Sequence, residues 1–95
     1  MIERHVTFSV LPDKASDFER LFVAEYRPAM AAMPGFIRVD LLRLPDDPTQ
    51  YQMLIRFESA ETAAAWRSSP AHQSLQPKIK ALYGESHLQV YDVIA

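Results

Sequence analysis

Histidine is the side chain whose ordinary pKa lies nearest neutrality, so proton chemistry in an unfamiliar chain is sought first at its histidines. There are three here, His5, His72 and His87, and His72 is the strongest single candidate for proton transfer. A capping or surface histidine in the first helical turn after Pro70 is the plainer account of the same residue. Tyr26 and Tyr51 offer phenols that could hold a substrate oxygen, and Tyr26 joins His72 as a candidate catalytic residue. Arg56 and Arg38 could stabilise an enolate or oxyanion. An Arg38–Asp40 pair or a cross-strand ion pair would use them structurally instead. Trp66 could wall a pocket and stack on an aromatic ligand, or simply pack in the core. Phe22 and Met30 complete the candidate ligand-binding set with Trp66, Tyr51 and Arg56; Met30, Met33 and Met53 are soft residues that suit an adaptable pocket or fill a core equally well.

Several chemistries find no support. There is no cysteine, which removes disulfides and thiolate metal sites. His5 and His87 fall on strands expected to be neighbours, but two histidines without a third ligand at suitable spacing do not make a metal site, and no metal is expected. Only Gly35 and Gly84 are present, so no glycine-rich phosphate loop exists and no nucleotide cofactor is expected. No Ser-His-Asp spacing is interpretable.

The elements that must position these residues follow from periodicity. Val6, Phe8 and Val10 alternate with His5, Thr7 and Ser9, predicting a half-buried first strand over 4–11. Phe18, Leu21, Phe22, Tyr26 and Met30 recur at three and four, predicting a helix with one apolar stripe, capped by Ser16 or Asp13. Pro28 predicts a kink or restarted turn near residues 25–27, and Pro34-Gly35 a stop. Strand two is expected over 36–44 with Ile37, Val39 and Leu41 inward, and strand three over 51–57, after a loop at 45–49. Ser59 and Ser69-Pro70 each mark a helix start, so the second helical region reads as two pieces. Pro77 is expected to bend or divide the second piece, Gly84 to end it, and residues 87–94 to form the last strand.

This βαββαβ order predicts an α+β, ferredoxin-like fold over residues 1–95 as one domain, a four-stranded antiparallel sheet with both helices on one face. The opposite face, with His5, Arg38, Leu54, Arg56, and Leu88 or Tyr91, then lacks a cover. A chain of 95 residues buries only roughly 60–65% of its unfolded surface. A homodimer meeting through those bare faces answers both points. Net charge is −2 with signs interspersed, which argues against nucleic acid. No apolar run nears the ~20 residues of a membrane span and no secretory signal opens the chain, so a cytoplasmic location is expected.

Met33-Pro34-Gly35-Phe36, the passage Phe57-Glu58-Ser59-Ala60-Glu61, and Trp66 followed by Ser69-Pro70-Ala71-His72 resemble the antibiotic biosynthesis monooxygenase domain family. The resemblance implies a dimeric α+β barrel with a pocket between sheet and helices. It further implies oxidation of a small aromatic or quinol-type substrate without metal or flavin, the substrate's own carbanion reacting with oxygen. Haem-degrading relatives would require a strand-one asparagine. Strand one here has none, and His72 follows Trp66 by only six residues, so haem is the weaker implication. A non-catalytic or stress-related barrel that binds a small apolar ligand needs the same walls and stays open as the alternative.

Overall fold

A computed structural model describes residues 1–95. The chain runs β1 (Ile2–Val10), α1 (Ala15–Leu21), a π-helical segment (Phe22–Tyr26), α2 (Arg27–Ala31), β2 (Phe36–Leu44), β3 (Asp47–Phe57), α3 (Ala60–Arg67), α4 (Pro70–Lys80) and β4 (Tyr83–Asp92). The strands form one antiparallel sheet in the order β2-β3-β1-β4, the ferredoxin-like arrangement. Helices lie on one face, over Phe8, Val10, Val39, Met53, Ile55 and Phe57, all at most 7% exposed. No helix is long and apolar enough to cross a membrane.

The first helical arm solves the problem posed by Pro28 with a widened turn. The Arg27 N–H bonds to the Phe22 carbonyl, five residues back, and the α-helix restarts with Pro28 in its first turn, where a missing N–H costs least. The same turn keeps the apolar stripe in line. Residues at four-residue spacing drift about 40° per step around an α-helix. The π segment turns the stripe back, and Phe18, Phe22, Tyr26 and Met30 are all buried.

Gly35 lets the chain leave α2 against α3. Its φ is +80°, and a Cβ there would lie 2.5 Å from Thr62 Cγ2 and 2.6 Å from Thr62 Cβ, so neither conformation nor space admits a side chain. Thr62 is itself held, because Ser59 Oγ accepts from its N–H at 3.2 Å while its own hydroxyl oxygen accepts from the Ser59 N–H at 3.1 Å.

Several local expectations are corrected. Neither Asp13 nor Ser16 caps α1: a turn closing Lys14 N–H on Leu11 C=O puts Lys14 at the cap position, without a side-chain bond. Ile37 does not face inward. A bulge between Phe36↔Phe57 and Arg38↔Arg56 leaves it unpaired and 38% exposed, and Phe36 takes the inward place. The loop expected at 45–49 shrinks to residues 45–46, since Leu44 pairs Asp47 and a register shift absorbs Pro48. Asp47 Oδ1 accepts from both Thr49 N–H and Thr49 Oγ1 there.

Pro77 neither divides nor ends α4; the helix continues through it, anchored by buried Leu75 and Ile79 on either side. Gly84 does not terminate that helix but lies in β4, where Val10 pairs Tyr83 and Ser9 pairs Glu85, so the glycine takes up the extra residue. β4 thus starts four residues earlier than expected and ends at Asp92. Leu88 pairs Val6 and therefore lies on the helix side; Tyr91, opposite Glu3, is on the bare face.

Candidate active site

The junction of α3 and α4 brings Trp66 and His72 together through one serine. The Ser69 hydroxyl donates to the Trp66 carbonyl at 2.7 Å and accepts from the His72 N–H at 3.1 Å, closing one helix while opening the next. Ser69 is the only polar residue among the buried ones. The indole and imidazole consequently meet edge to face, with ring centroids 5.1 Å apart. Tyr26, delivered by the π segment, stands 5.6 Å from the indole and 6.4 Å from the imidazole. A π turn is often found where a helix aims a side chain into a site.

These three rings border a hollow of about 200 Å³ between helices and sheet, floored by Val6, Phe8 and Ile55 and flanked by Arg4 and Arg67. A second hollow of about 150 Å³ adjoins it and shares Arg4, Arg67 and Leu88. Together they reach the lower end of the roughly 300–1,000 Å³ usual for small-ligand sites. Trp66 is 1% exposed, so its indole is a packed wall bordering open space.

The electrostatics of the hollow are one-sided. Burial, then Arg4 and Arg67, lowers the His72 pKa below its ordinary value, so the imidazole is neutral at neutral pH and free to accept a proton. Burial pushes the Tyr26 phenol up to about 12, with Arg4 opposing. Tyr26 is therefore a protonated hydrogen-bond donor there, not a base. Burial and the nearby Arg67 charge lower the Arg4 pKa. No carboxylate enters the hollow.

The other candidates lie elsewhere. Met30 is fully buried in the core. Phe22 stacks on Tyr26 at 6.3 Å, carries Arg27 over its ring at 4.9 Å and lines a different depression, shared with Tyr51. The Tyr51 hydroxyl donates to Glu19, and Arg43 bonds the same carboxylate. Arg56 is on the bare sheet face, bonded to Glu3, which also contacts His5 Nε2 at 2.7 Å. Arg38 pairs with Asp40. His5 stands opposite Gln89 and His87 opposite Thr7, so the two are offset along neighbouring strands, and no three His, Asp or Glu side chains converge as a metal site would need.

Arg4, Arg67 and Gln76 line the hollow without having been singled out from the sequence. Arg4 carried a readable signal: it has the same strand parity as Val6 and Phe8, a charge on the apolar side of β1. Arg67 and Gln76 carried none, because both read as ordinary polar helix positions.

The family model described as antibiotic biosynthesis monooxygenase matches residues 1–78. Solved structures agree in fold. A candidate antibiotic biosynthesis monooxygenase from Nitrosomonas europaea superposes with a TM-score of 0.90 at 22% identity, over 100% of both chains. SnoaB, a cofactor-independent oxygenase from Streptomyces nogalater, superposes at 0.89 with 20% identity, over 99% of this chain and 93% of that one. A conserved protein from Methanosarcina mazei superposes at 0.87 with 16% identity, over 95% and 89%. No curated protein matches the chain. At such identities the superpositions speak for the fold, and the family match, which spans well over half of the sequence, speaks for membership: the chain belongs to the antibiotic biosynthesis monooxygenase family.

Proposed function

We propose that this protein is a cofactor-independent monooxygenase that oxidises a small, flat, enolisable aromatic such as an anthrone or quinol in the hollow beneath Trp66. The observation that carries the reading is the trio of Tyr26, Trp66 and His72 around one cavity whose only charged walls are cationic. Family membership and the oxygenase chemistry of SnoaB, a structural neighbour, support it.

His72, neutral and half-buried, takes the proton from the activated C–H or O–H of the substrate. The positive potential of Arg4 and Arg67 favours the resulting enolate. That electron-rich carbon reduces molecular oxygen and combines with it, and the hydroperoxide loses water. For a ring methylene the balance is CH2 plus O2 giving C=O plus H2O, with no external electron donor. Tyr26, still protonated, supplies a hydrogen bond to the substrate or peroxide oxygen. Trp66 stacks against the ring edge and keeps water out.

Two copies of the chain meet, in this reading, through the bare sheet face, where Tyr91 is 48% and Leu42 46% exposed and the Arg56–Glu3–His5 group would be shielded. Each copy keeps its own hollow beneath its helices.

The test is oxygen consumption by purified protein on a panel of hydroxylated anthrones and quinols. At least one compound should be oxidised with one oxygen taken up per product formed, and the rate should fall in Trp66→Phe and His72→Ala proteins. Saturable binding of the same compounds with no oxygen uptake above those variants would favour a non-catalytic binding protein.

A further inference from the structure

We infer that the substrate of this site carries a permanent anion, a carboxylate on a flat aromatic frame, held at the junction of the two hollows by Arg4 and Arg67. The inference rests on the oxidation proposed above and names the chemical class of molecule that undergoes it.

Five of the ten lysines and arginines have a carboxylate partner: Arg20 with Asp17, Arg38 with Asp40, Arg43 with Glu19, Arg56 with Glu3 and Lys78 with Glu25. Arg4 and Arg67 have none, although Arg4 is only partly exposed. Its partners across the sheet are Ile55 on β3 and Val90 on β4, both apolar, so neither directly opposed residue compensates its charge. Two guanidinium groups near each other and away from any acid repel, and a partly buried cation without a partner is costly. An arrangement of that kind is stabilised when an anion arrives between the two groups.

A transient enolate would occupy one guanidinium, and it would form inside the inner hollow beside His72. The two arginines are instead shared by both hollows, inner and outer. The outer one continues over Ile2, Ala60, Ala63, Ala64 and Val90, an apolar floor with small side chains. An anion at the shared point therefore has apolar surface on both sides. A carboxylate matches the planar, bidentate geometry of guanidinium and places an attached ring toward Trp66.

Calorimetric titration with naphthalene carboxylate and with its neutral primary amide reads this directly, since the two share ring and shape. The carboxylate should bind at least tenfold more tightly than the amide, and added salt should narrow the gap. Arg4→Gln/Arg67→Gln should bring the two affinities within about twofold, a change of roughly 1 kcal/mol in the preference, while Arg4→Lys/Arg67→Lys should keep most of it. The single Arg67→Gln change, at an exposed helix end, should lower the preference part-way and guards against misfolding of the double variant. Equal affinities in the unaltered protein, or a preference that survives the double glutamine change, would overturn the anion site. If a neutral anthrone is nonetheless oxidised, the monooxygenase reading stands and only the anion site falls. If neither naphthyl compound binds, the anion site falls, and oxygen uptake on the anthrone and quinol panel decides the monooxygenase reading separately.

Discussion

Replacing Trp66 by alanine should destabilise the protein by about 3–5 kcal/mol, the range found when a large buried aromatic is truncated and its surroundings cannot fully collapse. The indole is 1% exposed and meets two other elements, edge to face with Tyr26 at 5.6 Å and with His72 at 5.1 Å. Its backbone carbonyl is also the acceptor that orients Ser69. Collapse is hindered because a hollow already lies beside the ring, so truncation enlarges an existing void. Small domains hold about 5–15 kcal/mol in total, and a loss of that size removes a large part of it. Denaturant unfolding followed by circular dichroism measures the change directly. Trp66→Phe should cost less because it retains an aromatic ring. A loss under about 1 kcal/mol in Trp66→Ala would mean that the wall is not packed as described.

His72→Ala should lower the rate of oxygen consumption by about 10²–10⁴-fold while changing stability little, which is the usual cost of removing a positioned acid–base group. The pH dependence gives a second signature, and its sign follows from the lowered pKa. Activity needs the neutral imidazole, so the acid limb of the rate profile should lie below the ordinary histidine range near 6.5. In the unfolded chain the same residue gains its proton first, as pH falls through about 6.5. Stability attributable to His72 is therefore present above that value and is lost as pH falls towards the folded pKa. His72→Gln should abolish both effects. Arg4→Gln should move the acid limb upward, because Arg4 is one of the charges that hold the imidazole neutral. A profile unchanged in both variants would assign the proton transfer to another group.

Element order and most of the strand and helix identities were legible because they rest on periodicity. Alternation of Val6, Phe8 and Val10 and the four-residue stripe from Phe18 to Met30 survive any local adjustment. Bulges were not legible. Ile37 and Gly84 each sit where one strand carries one additional residue and Pro48 where β3 carries three, and such a step depends on the partner strand, which the local sequence does not name. Pro77 shows the converse, a strong local breaker overruled by packing on both sides. In the site, Trp66 and His72 were legible together because one Ser-Pro helix start lies between them. Tyr26 needed the π turn to reach them. Tyr51, Arg56, Phe22 and Met30 have suitable chemistry, but pairing and core packing place them away from the hollow. Arg4, a lone charge in the apolar phase of β1, lines the hollow and was readable from strand parity alone.

The substrate should lie in the space beneath Trp66. A crystal of the protein soaked with a hydroxyanthrone carboxylic acid without oxygen, so that the compound persists, tests this most directly. The ring should appear between Tyr26, Trp66 and His72, with the acid group turned toward Arg4 and Arg67. A compound bound only on the bare sheet face, with the hollow empty or closed by side chains, would contradict it.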